Sequence, residues 1–280
     1  MVKILDIPFL NHAIKNRFYF WVLLSVLLYI GSSCTEEMGS DGKALVNLRL
    51  IDAPGEFDEA WVEILGVEIL QGRSRTASEA NWIFIEYQSV NQQVDISKLV
   101  GDGVLLLGRA EIPEGTISKI RLMLGQDHYL VSNGERIPLN LAPGESGIEL
   151  DVEYKLESSF SYDFYLDFDL DRSVRPSSDS LEFNLFPKVR SFVRQETSEI
   201  SGRIRPQEVR PVLYALQGTD SISTLTNSVG EYTFRGLKGG RHTLQILASA
   251  PYMDTVFQVE TEVGKLTTIE DIFLKIPGGE

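Results

Sequence analysis

The stretch "FSYDFYLDFDLDRS", residues 160–173, alternates apolar and polar side chains with a period of two. Its apolar side consists of Phe160, Tyr162, Phe164, Leu166, Phe168 and Leu170. Its other side carries Asp163, Tyr165, Asp167, Asp169 and Asp171. Successive side chains of a strand point to opposite faces of a sheet. The pattern therefore predicts one long β-strand with one face in a core and the other rich in carboxylates.

The same alternation recurs on both sides of this stretch, broken by glycine, proline and Asn-Gly. It is visible in "ALVNLRLID" (44–52), "TISKIRLML" (116–124) and "GIELDVEYKLE" (147–157). Asn133-Gly134 suits a type I′ hairpin turn, and Gly66 is a candidate β-bulge. We therefore predict an all-β chain of two antiparallel β-sandwich domains in series, at residues 43–195 and 196–280. Helix is expected only in short turns, such as the one at 95–100.

The N-terminal residues have the features of a secretory signal peptide. Basic residues precede an apolar run at 18–30, which is shorter than the roughly 20 residues of a membrane-spanning helix. Small residues then precede Cys34, the only cysteine of the chain. This order resembles the lipobox of bacterial lipoproteins, in which the cysteine is acylated and becomes the mature N-terminus. It implies a signal peptide at 1–33 and a polar tether at 34–42; a signal anchor with an incidental cysteine is the alternative.

An acidic pair, Glu36 and Glu37, follows close behind the cysteine. It resembles the surface-export signal of Bacteroidetes lipoproteins, and an ordinary solvated linker is the alternative. The expected location is the bacterial cell envelope, lipid-anchored in the outer membrane. Whether the protein faces the periplasm or the outside is left open.

The charge balance restricts the partners. The chain has 26 basic and 40 acidic residues, a formal net charge of −14. Nucleic-acid binding depends on basic groups that neutralise phosphates, so we expect no nucleic-acid partner. Anionic membrane surfaces should repel the protein as well, and the lipid anchor is therefore the expected membrane contact.

Two family resemblances follow from specific segments. "NLRLIDAPGEFDEAWVEILGVEIL", "AEIPEGTISKIRLML", "IPLNLAPGESGIEL" and "FYLDFDLDRSV" resemble, in this order, blocks of the bacterial family called domain of unknown function 4382. This resemblance covers most of residues 43–192. It implies an exported, β-rich domain of prokaryotic lipoproteins and supplies no catalytic residue.

The second resemblance rests on "TNSVGEYTFRGLKGGRHTLQI" (226–246), which is similar to the carboxypeptidase regulatory-like domains, small transthyretin-like β-sandwiches. Asn227 to Gly230 would form a turn, and Tyr232 and Phe234 would alternate into the core. Such domains usually act as spacers or binding platforms. The resemblance therefore implies a fold and leaves the function open.

Asp167, Asp169 and Asp171 are the candidate metal ligands. Like charges on one strand face repel unless they are solvated or bridged by a cation, and Ca²⁺ takes six to eight oxygen ligands. Arg172 and Ser178 stand where the calcium-binding helix–loop–helix motif needs glycine and glutamate. We therefore expect the aspartates to supply at best part of a Ca²⁺ site, and no other cofactor is predicted. Solvation, or pairing with nearby arginines, is the alternative.

No catalytic residue is predicted. His128 and His242 lie outside any metal-ligand spacing, and carboxylates are too numerous for a glycosidase pair to be selected. Trp61, Trp82 and Tyr87 could stack on sugar rings. The apolar residues on both faces of "NWIFIEYQ" (81–88) favour burial instead.

These observations predict a non-catalytic binding or adhesion role at the cell surface, with a glycan or another envelope protein as partner. A fimbrial-type structural subunit is the first alternative. Such subunits in Bacteroidetes are also lipoproteins built from two transthyretin-like domains, and they assemble by strand exchange. A carboxylate-dependent glycoside hydrolase is the second alternative.

Overall fold

The computed structural model describes residues 42–53, 57–72, 81–101, 103–142, 144–177 and 182–278. Over these residues the chain is all-β, with helix confined to single turns. No helix in these ranges is long and apolar enough to cross a membrane. The signal peptide, Cys34, Glu36 and Glu37 lie outside the described residues, so their assignments stay predictions.

The strands are numbered in chain order. The first thirteen are β1 Lys43–Ala53, β2 Glu59–Gln71, β3 Trp82–Glu86, β4 Gln93–Asp95, β5 Leu105–Pro113, β6 Gly115–Leu124, β7 Tyr129–Ser132, β8 Glu135–Leu141, β9 Gly147–Leu156, β10 Ser161–Asp169, β11 Val174–Pro176, β12 Phe183–Leu185 and β13 Val189–Val193. The others are β14 Ser198–Arg205, β15 Val212–Gln217, β16 Asp220–Leu225, β17 Glu231–Leu237, β18 Gly240–Leu247, β19 Thr255–Thr261, β20 Leu266–Thr268 and β21 Ile272–Phe273. A four-residue helix, α1, spans Leu170–Ser173, and 3₁₀ turns lie at Ile96–Leu99, Arg194–Glu196 and Gln207–Val209.

Strands β1 to β13 form two sheets around one core, which we call the N-terminal sandwich. One sheet has the order β13-β10-β1-β5. The other has the order β11-β12-β8-β7-β2-β6-β9, with β3 and β4 also paired with β2. Fully buried side chains from both sheets meet in the core, among them Leu48, Leu50, Phe164, Phe168, Ile64, Ile69 and Ile120. Burying one such side chain contributes about 1.5–3 kcal/mol, which is why the apolar faces predicted from alternation turn inward.

Strands β14 to β21 form a second pair of sheets, which we call the C-terminal sandwich. One has the order β17-β14-β20 with β21 also on β14, and the other has the order β16-β15-β18-β19. Their shared core contains Tyr232 and Phe234, as predicted from the 226–246 segment, together with Leu237, Leu244 and Ile246.

Local turn chemistry matches the sequence. The ladder between β2 and β6 shifts register between Ile64 and Gly66, which confirms the predicted bulge. A Cβ atom at Gly66 would lie 2.4 Å from the Ile85 carbonyl oxygen, so no other residue fits there. Asn133 and Gly134 have φ angles of 52° and 79°, as a type I′ turn requires.

Two features differ from the prediction. The sheets are mixed, because β1 pairs in parallel with β10, and β14 pairs in parallel with both β20 and β21. The strand predicted at 160–173 ends at Asp169, where α1 begins. The Asp169 carboxylate accepts a hydrogen bond from the Arg172 N–H and caps this helix, so Asp171 is not on the strand face.

Candidate functional site

A cleft of about 960 Å³ lies between the two sandwiches. We call it the interdomain cleft. Its N-terminal wall is charged and carries Asp167, Asp169, Asp171, Arg172, Arg175, Lys188 and Arg190. Its C-terminal wall is uncharged and consists of Val212, Tyr214, Ser221, Ile222, Ser223 and Leu225. A smaller cavity of about 420 Å³ shares Arg172 and Arg190 with the cleft and extends it along β16.

A salt bridge between β10 and β13 neutralises the most buried aspartate of the cleft. Asp167 lies directly opposite Arg190 in the ladder. Its Oδ2 atom is 2.7 Å from Arg190 Nε and 2.6 Å from Arg190 Nη2. Because the Asp167 side chain is only 9% exposed, this pair compensates a carboxylate that water can hardly reach.

The other two aspartates have separate roles. Asp169 caps α1 and also lies 3.5 Å from Arg172 Nε. The backbone carbonyl of Asp171 accepts a hydrogen bond from Arg175 Nη1, and the Asp171 side chain is exposed. Within the described ranges, no three histidine, cysteine, aspartate or glutamate side chains lie close enough to hold a metal ion. Calcium binding by the three aspartates stays a prediction, and the geometry does not favour it.

Two arginines fasten the sandwiches together in opposite directions. Arg190 of the N-terminal sandwich donates to the carbonyl oxygens of Arg235 and Gly236, at 3.2 and 3.4 Å. Arg235 of the C-terminal sandwich donates to the carbonyl oxygen of Gly101, at 2.7 Å. These contacts fix one end of the cleft.

An aromatic contact supports the same junction. The rings of Tyr165 and Phe192 are stacked, with centroids 5.1 Å apart and an interplanar angle of 4°. Gly236 packs on the Phe192 ring, since a Cβ atom there would lie 2.6 Å from Phe192 Cδ1. Its φ angle of +70° also favours glycine. Gly236 therefore permits the close approach of the two sandwiches.

The aromatic residues considered as sugar platforms lie outside the cleft lining. Trp61 is stacked on Tyr129, with ring centroids 5.9 Å apart. Trp82 is covered by the Arg121 guanidinium, 4.1 Å from its ring centroid. Trp61, Trp82 and Tyr87 are half-buried, so the burial predicted for this segment is incomplete; Phe84 in the same strand is 52% exposed.

The two histidines among the described residues, His128 and His242, are buried. His128 Nδ1 accepts a hydrogen bond from the Glu63 N–H at 3.1 Å. Burial lowers the pKa of His128, and this outweighs the opposite effect of the Glu63 and Asp127 carboxylates. His242 Nε2 lies 2.8 Å from the Lys238 carbonyl oxygen. Neither histidine lines the interdomain cleft itself; His242, which is buried, lines the smaller cavity beside it.

The comparison with protein families decides the identity of the N-terminal sandwich. The family model described as Domain of unknown function (DUF4382) matches residues 43–187, more than half of the chain. The chain belongs to the DUF4382 family. The match confirms the first resemblance, and it ends before β13 and Arg190. The DUF4382 residues therefore supply the aspartates of the cleft, whereas the opposite wall lies beyond them. The carboxypeptidase regulatory-like resemblance of the C-terminal half stays a prediction.

Solved structures give only distant similarity. The Bacillus anthracis TIE protein is 10% identical with a TM-score of 0.25, over 88% of this chain and 42% of that one. This DUF4382 chain thus spans less than half of that protein. GBS52, the minor pilin of Streptococcus agalactiae, is 13% identical with a TM-score of 0.24, over 84% and 98%. BcpA, the major pilin subunit of Bacillus cereus, is 9% identical with a TM-score of 0.23, over 84% and 70%. No curated protein matches the sequence.

Sequence reasoning located the carboxylates of the cleft and missed most of its other residues. Arg190, Arg235 and Gly236 lie in unremarkable strand segments whose partners are in the other sandwich. Ser221 and Ser223 are ordinary polar strand residues. Only the juxtaposition of two separately folded sandwiches makes them a site.

Proposed function

We propose that this DUF4382 protein is a non-catalytic binding protein of the bacterial cell surface, which holds its partner in the interdomain cleft. The observation that carries the proposal is the cleft itself. It is open, it has a charged wall facing an uncharged one, and the contacts of Arg190 and Arg235 preorganise it. A preformed concave site with a few polar groups is the usual form of a binding site.

The placement of the carboxylates argues against hydrolysis. A glycosidase needs two carboxyl groups that flank the scissile bond. In the interdomain cleft all the lining carboxylates belong to the N-terminal wall, and the described residues of the opposite wall include none. Asp220 lines the smaller cavity beside it and is held by Lys238 at 2.6 Å. Asp167 is also held in its pair with Arg190. The geometry therefore supports binding better than a carboxylate-dependent reaction.

Surface attachment is the second part of the proposal. Acylation at Cys34 would tether the sandwiches to the outer membrane through residues 34–42. Replacing Cys34 with alanine in the full chain should abolish lipid labelling and release the protein from the membrane fraction. Unchanged labelling and membrane retention of this variant would contradict the anchor.

A matched pair of tryptophan substitutions tests the binding site. Residues 42–280 contain every described strand and both cores, so this fragment should fold on its own. Ser223→Trp fills the cleft from β16, whereas Gln258→Trp adds the same ring to β19, at the other edge of the same sheet. We expect the first variant to bind at least about tenfold less to intact cells of the source bacterium and to glycan arrays. The second should bind like the parent, and equal loss or equal retention in both would contradict the proposal.

A fimbrial-type structural subunit is the second candidate. The observation in its favour is that the last strands, β20 and β21, are short and pair only with β14. Strand exchange needs a terminal strand with few pairing contacts, which can leave its own sheet. Polymers of residues 42–280 in solution that disappear on truncation after residue 265, without binding in the cleft, would favour this candidate.

A further inference from the structure

Both walls of the interdomain cleft contain the edge strand of a sheet. β13 is the outer strand of β13-β10-β1-β5, and β16 is the outer strand of β16-β15-β18-β19. The cleft is lined by consecutive residues of each strand, Val189–Arg190 on one side and Ser221–Ser223 on the other. Consecutive residues point to opposite faces of a sheet, so the cleft reaches the free edge of each strand. Val212 and Tyr214 of β15 line it as well, so the cleft also extends over the outer face of the β15–β16 pair.

The hairpin before β16 fixes which of its backbone groups face the cleft. Gly218 has a φ angle of +61° in a two-residue turn that joins β15 to β16, as in a type II′ hairpin. The pair that closes such a turn, Gln217 and Asp220, is hydrogen-bonded. Bonded and non-bonded pairs then alternate along an antiparallel ladder. The N–H and C=O groups of Ser221 and Ser223 therefore point away from β15, toward the free edge.

These backbone groups have no partner within the described part of the chain, whereas those of β13 are largely covered. The N–H and C=O groups of Ser221 and Ser223 make no hydrogen bond outside the β15 ladder. On β13, the Ser191 carbonyl accepts from Tyr154 OH at 2.9 Å, and the Val193 carbonyl accepts from Thr197 Oγ1 at 3.1 Å. Unpaired edge groups are a template for an added strand, and proteins normally protect them. β16 is open at Ser221 and Ser223, whereas its end at Leu225 is covered by Gly101, where a Cβ atom would lie 3.2 Å from the Leu225 carbonyl oxygen.

The charge around this edge selects the occupant. Arg175 and Lys188 line the cleft opposite β16, and neither has a carboxylate partner among the described residues. Arg172 pairs only with Asp169, at 3.5 Å, and its side chain is 70% exposed. The same wall carries three carboxylates, of which Asp167 and Asp169 are paired with Arg190 and Arg172. This leaves Arg175 and Lys188 against the exposed Asp171, so side chains of an added strand that point toward this wall would meet a small excess of positive charge.

We propose that the cleft binds an extended acidic peptide segment of a protein partner, which adds to β16 as a fifth strand of its sheet. The inference rests on the proposed function and names the class of partner. The backbone of Ser221 and Ser223 supplies the hydrogen bonds, and Arg175 and Lys188 select carboxylate side chains. β16 has six residues and its last one is covered, so the added segment would pair along residues 220–224, a length of about 17 Å. A glycan has no repeat of donors and acceptors that matches a strand edge.

The probe is a fluorescein-labelled peptide of about eight alternating valine and glutamate residues, measured by fluorescence anisotropy with residues 42–280. We expect it to bind at least about tenfold more tightly than the matched valine–lysine peptide. Ser223→Pro removes the outward N–H and leaves the hydrogen bonds to β15, since proline is tolerated at such edge positions. This variant should lose at least about tenfold in affinity, and Ser223→Thr, which keeps the N–H, should bind like the parent.

N-methylation of the peptide backbone provides a second test, and its result does not depend on whether a protein variant folds. Two versions, N-methylated on all valines or on all glutamates, keep the charge and block strand pairing on one side of the peptide. At least one should lose binding by about tenfold or more. If both bind like the parent peptide, strand addition is wrong.

The outcomes separate this inference from the proposed function. If no peptide binds and Ser223→Trp still loses binding to cells or glycans, the cleft is a binding site for another ligand and the strand-addition inference is overturned. If Ser223→Trp loses nothing, the proposed function fails as well. If the lysine peptide binds as tightly as the glutamate peptide, the acidic partner is wrong.

Discussion

Replacing Arg190 with alanine removes the only described side chain that pairs with the Asp167 carboxylate. Both contacts to Asp167 Oδ2, at 2.6 and 2.7 Å, are lost, and Asp167 Oδ1 already has no hydrogen-bond partner. Breaking a buried ion pair by removing one partner costs about 3–5 kcal/mol. The Arg190 side chain is 39% exposed, so water can partly replace it. We therefore expect the free energy of unfolding to fall by about 2–4 kcal/mol.

Urea unfolding of residues 42–280, followed by tryptophan fluorescence and extrapolated linearly to zero denaturant, measures this loss. The matched control is Arg241→Ala, which breaks a cross-strand pair with Glu260 whose side chains are 70% and 65% exposed. Such a surface pair contributes at most about 1 kcal/mol. Adding Asp167→Asn to the Arg190 variant should recover at least about 1 kcal/mol, because the uncompensated charge is gone. An Arg190→Ala cost equal to that of Arg241→Ala, with no recovery in the double variant, would refute the reasoning.

Three further predictions concern Gly236 at the junction, the buried His128 and the ion pairs of Arg121. Gly236→Ala should cost about 2–4 kcal/mol, because it combines a positive φ angle with a clash against Phe192. Gly134→Ala, with a similar φ angle and no neighbour within 4 Å, should cost only about 1 kcal/mol in the same urea assay; equal costs would contradict the contact. His128 has a lowered pKa, so the unfolded chain binds its proton first, and stability should fall as the pH drops below about 6.5 toward the folded pKa. His128→Gln should flatten this part of the stability profile between pH 7.5 and 5.5, and an unchanged slope would contradict it. Arg121→Met should cost about 1 kcal/mol, since Arg121 bridges Glu68 and Glu149 at 2.6 Å each and covers Trp82, and raising the salt concentration should shrink the difference from the parent.

The local geometry was predictable because it depends on neighbours in sequence. Alternation placed Phe164, Phe168, Tyr232 and Phe234 in the two cores, where all four are buried. The bulge at Gly66 and the turn at 133–134 were predictable from a glycine within or between alternating segments.

The alternation of apolar and polar residues could not show where the strand predicted at 160–173 ends. Leu170 continues the apolar phase and is buried, yet it belongs to α1. The deciding interaction is the hydrogen bond from the Arg172 N–H to the Asp169 side chain, which periodicity does not register. The parallel pairing of β1 with β10 joins strands more than 100 residues apart and has no local signal either.

The candidate site was predictable only in its carboxylates. Their repulsion suggested a cation, and the cation at Asp167 is Arg190, placed opposite by the register of β13. The open edge of β16 depends on strand order, and its position beside Arg175 and Lys188 depends on how the sandwiches meet. Neither property belongs to any single segment of the sequence.

Amide hydrogen exchange at β16 tests the central claim, that the interdomain cleft binds a partner at the free edge of this strand, most directly. In the free protein the unpaired N–H groups of Ser221 and Ser223 should exchange fast, whereas Ile222 and Thr224, bonded to β15, should be protected. Saturation with the valine–glutamate peptide should slow exchange at Ser221 and Ser223 by at least about tenfold and leave Gln258 on the opposite edge unchanged. A peptide that binds without changing exchange at Ser221 or Ser223 would contradict the account.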